Sequence, residues 1–299
     1  MIRIKDVTKT FGAIKALDGV SAEISAGSIY GLIGSNGSGK STLLRIMCGV
    51  FLADSGYVEI DGENVYENSK LKQSIVYLSD EQFFLPHSTM NDMAQFYKSV
   101  YRSFDMVRFV KLTEVFGLDP NRKIATFSKG MTKQASILLG LSIHPKYMFL
   151  DETFDGLDPV VRQLVKRLIA EEVAERKMTP VIASHNLREL EDICDHVGLL
   201  HQGGILFDRE LDDMKLNIHK LQLVLREETP IDALSPLNIL DHSSRGRMHT
   251  IVCRGTTEEI DAVILPLEPV YYEIIPLTLE EIFISEMEEK GYDFKNVIF

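Results

Sequence analysis

The sequence predicts an α/β protein built on a mainly parallel sheet with flanking helices. An N-terminal antiparallel β subdomain, a helical subdomain at about 82–142 and a small C-terminal α+β domain complete it. Three observations carry that expectation. An apolar strand, SIYGLIG (28–34), runs through a glycine-rich loop into the amphipathic segment STLLRIMCGVF (41–51). Two more apolar strands, KYMFLDE (146–152) and PVIASH (180–185), flank the amphipathic helix DPVVRQLVKRLIAEEVAER (158–176), and strand–helix–strand alternation of this kind builds parallel sheets. After about Lys215 the pattern changes to short alternating strands and two helices, which places domains at 1–215 and 216–299.

The remaining elements follow in order. Ile2, Ile4 and Val7 alternate and start a strand. GYVEIDGENV (56–65) reads as a hairpin turning at Asp61-Gly62, and SIVYLS (74–79) as a strand. Residues 90–141 are mostly helical. FDMVRFVKLTEVFGL (104–118) starts at an Asp105 cap and places Val107, Phe109, Val110 and Val115 on one apolar stripe. LLHQGGILF (199–207) reads as a hairpin. In the last domain KLQLVLRE, MHTIVCRG and VYYEIIPL are strands. TTEEIDAVILPL and TLEEIFISEMEEK are helices, the second opened by a Thr278–Glu281 capping box.

The composition narrows the function classes. Of 299 residues 45% are hydrophobic and 25% charged, as expected of a globular chain with a real core. No run of 18 or more apolar residues is present, so no direct membrane insertion is expected. The start MIRIKDVTKTF lacks an apolar signal core, which predicts no secretion. The three cysteines, Cys48, Cys194 and Cys253, are far apart and make neither a disulfide framework nor a metal site; a reduced, cytoplasmic setting fits. A net charge of -12 argues against a general nucleic-acid or anionic-lipid binder.

The most informative stretch is GSNGSGKST: Gly34, Ser35, Asn36, Gly37, Ser38, Gly39, Lys40, Ser41 and Thr42. It fits the phosphate-loop pattern G-x-x-x-x-G-K-[ST] between a strand and a helix. The glycines let successive backbone N–H groups converge on one oxyanion, and the helix N-terminus adds partial positive charge. Lys40 neutralises terminal phosphates and the Ser41 hydroxyl can hold Mg²⁺. The strand YMFLDET delivers Asp151 and Glu152 at its carboxyl end, where ligands of such sheets bind. Asp151 can reach Mg²⁺ through water, and Glu152 can polarise an attacking water. His185 ends the strand PVIASH. In FSKGMTKQ, Ser128 reads as a helix N-cap, and the helix start makes a second phosphate-binding end.

Taken in chain order, as Phe11, GSNGSGKST, a strand end at Asp80, FSKGM, YMFLDE, DGLDP and then His185, these motifs resemble the nucleotide-binding subunit of ABC (ATP-binding cassette) transporters. The resemblance covers roughly residues 1–215. Within the family FSKGM, FDGLDP and the tail ending PLTLEEIFISEMEEKGYD resemble ATPase subunits of bacterial ABC-2-type exporters, in particular the small Gram-positive branch of the YtrB type. The resemblance implies a P-loop NTPase fold, ATP and Mg²⁺ as ligands, and stacking of Phe11 on adenine. It also implies a head-to-tail pair, as a homodimer or with a paralogous ATPase. ATP on the Walker A loop of one subunit is then capped by Ser128, Lys129, Gly130 and Met131 of the other, with Asp158 in the loop that meets the opposite subunit. His185 senses the γ-phosphate and helps position water. The permease is a separate membrane chain, so the subunit sits on the inner face of the plasma membrane, and the C-terminal domain is a dimerisation or regulatory accessory.

Three departures bear on these expectations. Asp80 in IVYLSDEQ aligns with the family's Q-loop glutamine; a carboxylate can ligate Mg²⁺ but cannot donate as an amide does, and Glu81 or Gln82 could take over if the loop shifts. Lys129 and Met131 replace a glycine and a glutamine of the signature, and Thr153 replaces a proline. Lys40, Asp151, Glu152 and His185 all remain, so hydrolysis is expected. The segment Asp80–Tyr101, containing QFFLPHSTMNDMAQFY with Phe83, Phe84 and Leu85 in a loop, is the expected permease-docking surface. A soluble cassette ATPase acting on the ribosome or on DNA is the rival reading. It is weakened by the single phosphate loop, the absence of a long coiled coil and the acidic balance. A non-hydrolysing nucleotide switch is the other rival, and retention of Glu152 argues against it.

Overall fold

The computed structural model describes residues 1–275 and 277–289. The chain divides into two compact units, Met1–Asp208 and Arg209 onward, a few residues before the change of pattern seen after Lys215.

The first unit opens with two long antiparallel strands, β1 (Ile2–Phe11) and β2 (Ile14–Ile24), paired from Ile2↔Ile24 to Phe11↔Ile14 with shifts of register between Ile4 and Thr10. Next come β3 (Tyr30–Ile33), helix α1 (Lys40–Met47), β4 (Ser55–Ile60) and β5 (Glu63–Asn64). The sheet order is β2-β1-β4-β5. Ile2, Ile4 and Val7 are buried, the alternation of a strand with one face on the core. Asp61 and Gly62 both take positive φ, 54° and 81°, so Ile60 faces Glu63 across the tight turn that Asp-Gly favours.

The second sheet carries the chemistry. After α2 (Ser69–Lys72) come β6 (Ile75–Leu78), the helices α3 (Met90–Val100), α4 (Met106–Phe116) and α5 (Lys129–Leu141), and then β7 (Tyr147–Asp151). Next are α6 (Pro159–Arg176), β8 (Thr179–Ser184), α7 (Leu187–Glu191), β9 (His196–His201) and β10 (Gly204–Glu210). The strand order is β10-β9-β3-β8-β7-β6. The pairs β9/β3, β3/β8, β8/β7 and β7/β6 are all parallel. All of β3, β7 and β8 is buried, as expected of strands covered on both faces. Because these strands run the same way, the residues that follow them gather at one edge.

The helical segment α3–α5 corrects one expectation. Asp105 does cap α4, accepting from Val107 N (2.8 Å) and Arg108 N (3.0 Å). The stripe, however, is rotated: Phe109, Leu112, Thr113 and Phe116 are buried, whereas Val107, Val110 and Val115 are exposed. Phe109, Leu112 and Phe116 recur at i, i+3 and i+7 and bury more area per residue than the valines, so the helix turns that face inward. The Phe83-Phe84-Leu85 loop also lies open: Phe83 is 78% exposed, Leu85 is exposed and Phe84 half-buried.

The second unit begins with α8 (Leu211–Asn217), β11 (Ile218–Val224), β12 (Asn238–Arg245) and β13 (Met248–Arg254). It continues with α9 (Thr257–Ile264), β14 (Tyr271–Ile275) and α10 (Leu279–Glu289). Its sheet is antiparallel in the order β12-β13-β11-β14. Leu221, Leu223, Ile251, Cys253, Ile260 and Ile264 form its core. Strand β12 has no counterpart among the strands read from the sequence. It is an edge strand, mostly exposed, and NILDHSSR carries little of the β-branched or aromatic character that marks strands. The Thr278–Glu281 box is present, with Thr278 N donating to Glu281 Oε2 (3.0 Å) and Glu281 N to Thr278 Oγ1 (3.3 Å). Pro276 and the tail from Lys290 lie outside the described residues.

Candidate nucleotide site

The Gly34–Thr42 loop joins β3 to α1 and is fixed by two close backbone approaches. A Cβ on Gly34 would lie 2.4 Å from both Leu200 O and Ser38 Oγ. Gly39 takes φ 110° as the α1 N-cap, and a Cβ there would meet Ala16 O at 2.5 Å. Only glycine satisfies both constraints. Lys40 is 5% exposed and turns back into the loop; its Nζ donates to Gly34 O (2.6 Å) and Ser35 O (3.3 Å) and lies 3.2 Å from Glu152 Oε1.

The carboxylates stand at the carboxyl end of β7, Asp151 as its last residue and Glu152 as the next. Asp151 is 1% exposed and is held from two sides: Ser41 Oγ donates to Oδ1 and Tyr77 Oη to Oδ2, each at 2.9 Å. Tyr77 in turn accepts from Arg45 Nε (3.3 Å). Burial first, and then the Asp151 charge, push the Tyr77 hydroxyl well above its ordinary value, so it stays a proton donor to that carboxylate. Glu152 divides its oxygens, with Oε1 on Lys40 and Oε2 on His185 Nδ1 at 2.9 Å. Asp155 Oδ2 is 4.0 Å from the same Nδ1. His185 lies just past β8, adjacent to β7 in the sheet.

A cavity of about 550 Å³ opens over this floor. Asn36, Gly37, Gly39, Lys40, Ser41, Thr42, Asp80 and Glu152 line it, and Ile14–Ala16 with Gln202 and Gly203 form its other wall. Every one of these residues belongs to the first unit. Ser38 Oγ, buried within the loop, has no hydrogen-bond partner among the described residues. The start of α1, with Gly39, Lys40, Ser41 and Thr42 on the cavity, offers a helix N-terminus beside a lysine, which fits an anion with several oxygens. Ser41 and Asp151 offer only oxygen donors, which suits a hard divalent cation.

Lys40, Ser41, Asp151, Glu152 and His185 are thus brought together. Phe11 is not among the lining residues. It pairs with Ile14 at the hairpin end, 44% exposed, and packs edge-on to Phe51 with ring centroids 5.6 Å apart. Ser128, Lys129, Gly130 and Met131 do not line the cavity either. Ser128 caps α5 by accepting from Met131 N (3.2 Å), and Ser128 and Lys129 are exposed. Asp158 caps α6, accepting from Val160 N (3.1 Å) and Val161 N (3.0 Å). The Asp80 carboxylate is engaged by Lys133 Nζ at 3.0 Å. Tyr77, Lys133 and Asp155 lie within SIVYLS, FSKGMTKQ and DGLDP, but the sequence alone assigns them no role. Tyr77 sits in an apolar strand where a tyrosine reads as packing, and Lys133 sits past the signature at a helical phase that its charge disguises.

Comparison with known proteins agrees with this geometry. The family model described as ABC transporter matches residues 17–155. The ABC transporter ATP-binding protein YtrB of Bacillus subtilis (strain 168) is 31% identical over 290 residues, spanning 97% of this chain and 99% of that one. The bacitracin transport ATP-binding protein BcrA of Bacillus licheniformis is 32% identical over 218 residues, 72% of this chain and 71% of its own. Among solved structures, a dimeric ATP-binding cassette in a post-hydrolysis state bound to ADP and Pi aligns with a TM-score of 0.65 at 22% identity. That alignment covers 71% of this chain and 99% of that one, and at this identity the likeness is one of fold.

Proposed function

The chain belongs to the family of ABC transporter ATP-binding proteins, and from that premise we propose how its residues drive transport. It is an ATP-binding and ATP-hydrolysing motor subunit. The observation that carries the mechanism is the split engagement of Glu152, with one oxygen on His185 Nδ1 at 2.9 Å and the other on Lys40 at 3.2 Å. That places the carboxylate between the group that neutralises terminal phosphates and a histidine able to bear on the attacked phosphate. Glu152 orients and polarises the attacking water, His185 holds Glu152 and contacts the γ-phosphate, and the loop N–H groups with Lys40 take up charge in a loose transition state. Ser41 and Asp151, with Asp80 across the cavity, would hold Mg²⁺. Bound there, magnesium supplies further neutralisation of phosphate charge.

The cavity is half a site. Ser128 and Lys129 stand exposed, with Gly130 and Met131 half-buried beside them, outside their own subunit's cavity lining, available to cap ATP on a second subunit in a head-to-tail pair, either a homodimer or a pair with a paralogous ATPase. Asp158 lies in the loop that meets that neighbour. ATP binds the closed pair better than the open one, and that difference is what lets it drive a shape change. The permease is a separate chain, which keeps this subunit at the cytoplasmic face of the membrane; among the described residues no helix is long and apolar enough to cross it. The exposed Phe83–Leu85 loop is the docking point, and Phe83→Glu should abolish co-purification with the permease; unchanged co-purification would refute the assignment. The relatives at 31% and 32% identity carry transport names, which favours a transport motor over a cassette that acts without a permease.

Steady-state phosphate release tests the catalytic assignment. Wild-type protein with Mg²⁺ and ATP should turn over, and Glu152→Gln should lower turnover by about 10²–10⁴-fold, the range for losing a general base. Wild-type turnover that survives in Glu152→Gln would remove Glu152 from this role.

A further inference from the structure

Lys133 takes no part in the phosphate chemistry described above, yet it connects two of its carboxylate-bearing segments. It lies on α5 just past the exposed signature, and its side chain turns inward, so the residue is only 8% exposed. A buried ammonium needs an opposite charge and hydrogen-bond acceptors. It finds both, with Nζ 3.0 Å from Asp80 Oδ1 and 2.8 Å from Glu152 O. Asp80 follows β6 and Glu152 follows β7, neighbouring parallel strands.

The bond to Glu152 falls on an unusual backbone. Glu152 has φ 47°, a left-handed conformation that a non-glycine residue keeps only where its surroundings hold it. Its N–H donates to Ala183 O at 3.0 Å, and its carbonyl accepts from Lys133 Nζ and from Asp155 N (3.3 Å). Those bonds fix the peptide groups on both sides of its Cα. The direction of the Cα–Cβ bond, and hence the side chain's reach to Lys40 and His185, follows from them.

We propose that Lys133 is a positioning residue that sets the attitude of Glu152 and makes it depend on Asp80. The two ends of the ion pair differ: the Lys133 side chain is 10% exposed and that of Asp80 is 59% exposed. The lysine is therefore the fixed member and the aspartate the movable one. Asp80 opens the segment that leads into Phe83–Leu85. A displacement of that segment withdraws or restores a charge on Lys133 and alters the bond to the Glu152 carbonyl. Where the family has an amide, this chain has a charge pair that runs from the surface to the backbone of the hydrolytic carboxylate. The inference rests on the reading of Glu152 as the group that orients water.

The test is Lys133→Met, which keeps the packed stem and removes the ammonium, beside Lys133→Arg. In Lys133→Met, kcat for ATP should fall about tenfold or more, because small misplacement of a reacting group is costly. Half-saturating ATP should stay within about twofold, and Lys133→Arg should recover most of the rate. The Asp155 amide, bonded to the same carbonyl, should exchange faster in Lys133→Met while amides of β8 do not change. Should the methionine variant fail to fold, Lys133→Gln is measured in the same way. A kcat within twofold of wild type overturns the proposal. So does a kcat loss matched by an equal loss of ATP affinity, since that marks a general structural role. A wild type without turnover refutes the reading of Glu152 instead, which keeps the two failures distinct.

Discussion

The two units use their sheets differently. In the first, β3, β7 and β8 are parallel neighbours in one sheet. Their carboxyl ends therefore deliver Gly34–Thr42, Asp151–Glu152 and His185 to one edge, with Asp80 arriving from β6. In the second, β12, β13, β11 and β14 are antiparallel, so successive strands end at opposite edges. The lesson concerns topology. A parallel sheet converts residues far apart in sequence into one site, and it leaves motifs at the strand ends. An antiparallel sheet of this kind builds a core and leaves only alternation.

The sharpest way to test that difference is a methyl group at the loop. Gly39→Ala puts a side chain at φ 110°, with its Cβ 2.5 Å from Ala16 O. Strain of roughly 1–3 kcal/mol, added to the clash, should lower affinity for a fluorescent ATP analogue by at least about tenfold. The fold of the second unit should not change. Affinity equal to wild type would mean that the loop is not the cradle.

The converse substitution belongs in the second core. Leu221 is fully buried there, and Leu221→Ala should cost about 2–5 kcal/mol, read as a lowered unfolding transition. ATP turnover should stay within about twofold. A matching collapse of turnover would break the comparison, because the second unit would then be part of the catalytic machinery.

The smallest effect is electrostatic. His242 and His249 stack across β12 and β13 with centroids 5.3 Å apart, Nε2 of one 3.1 Å from Nδ1 of the other. Burial, and then the neighbouring His242, hold the His249 ring below its ordinary value. The folded state therefore prefers the neutral ring. Its contribution is present above the unfolded value of about 6.5 and is lost as pH falls through the lower folded one. Amide exchange in β12 and β13, corrected for intrinsic rate, should speed up between pH 7.5 and 5.5, whereas that of β7 and β8 should not. Equal changes in all four strands would contradict this.

Much of the site is legible in the sequence because backbone constraints write themselves in residue types. Gly34 and Gly39 are glycines for steric reasons, Asp61-Gly62 is a turn, and Asp151–Glu152 follow four apolar residues. What escapes is tertiary. Tyr77 reads as an apolar strand residue until Asp151 is placed beside it, and Lys133 reads as a surface lysine until α5 is docked. The valines of α4 satisfy the same helical period as the phenylalanines, so periodicity alone does not choose the buried face. Phe11 is an aromatic whose nearest ring, Phe51, lies forty residues away in the chain.

The central claim is that the Gly34–Thr42 cradle is one half of a composite ATP site. Size-exclusion chromatography of Glu152→Gln with Mg²⁺ and ATP tests it most directly. The account predicts a dimer that forms with ATP, reverts to monomer when ATP is removed, and is lost when Ser128→Arg is added. A Glu152→Gln protein that binds ATP tightly yet elutes as a monomer at every protein concentration would contradict it.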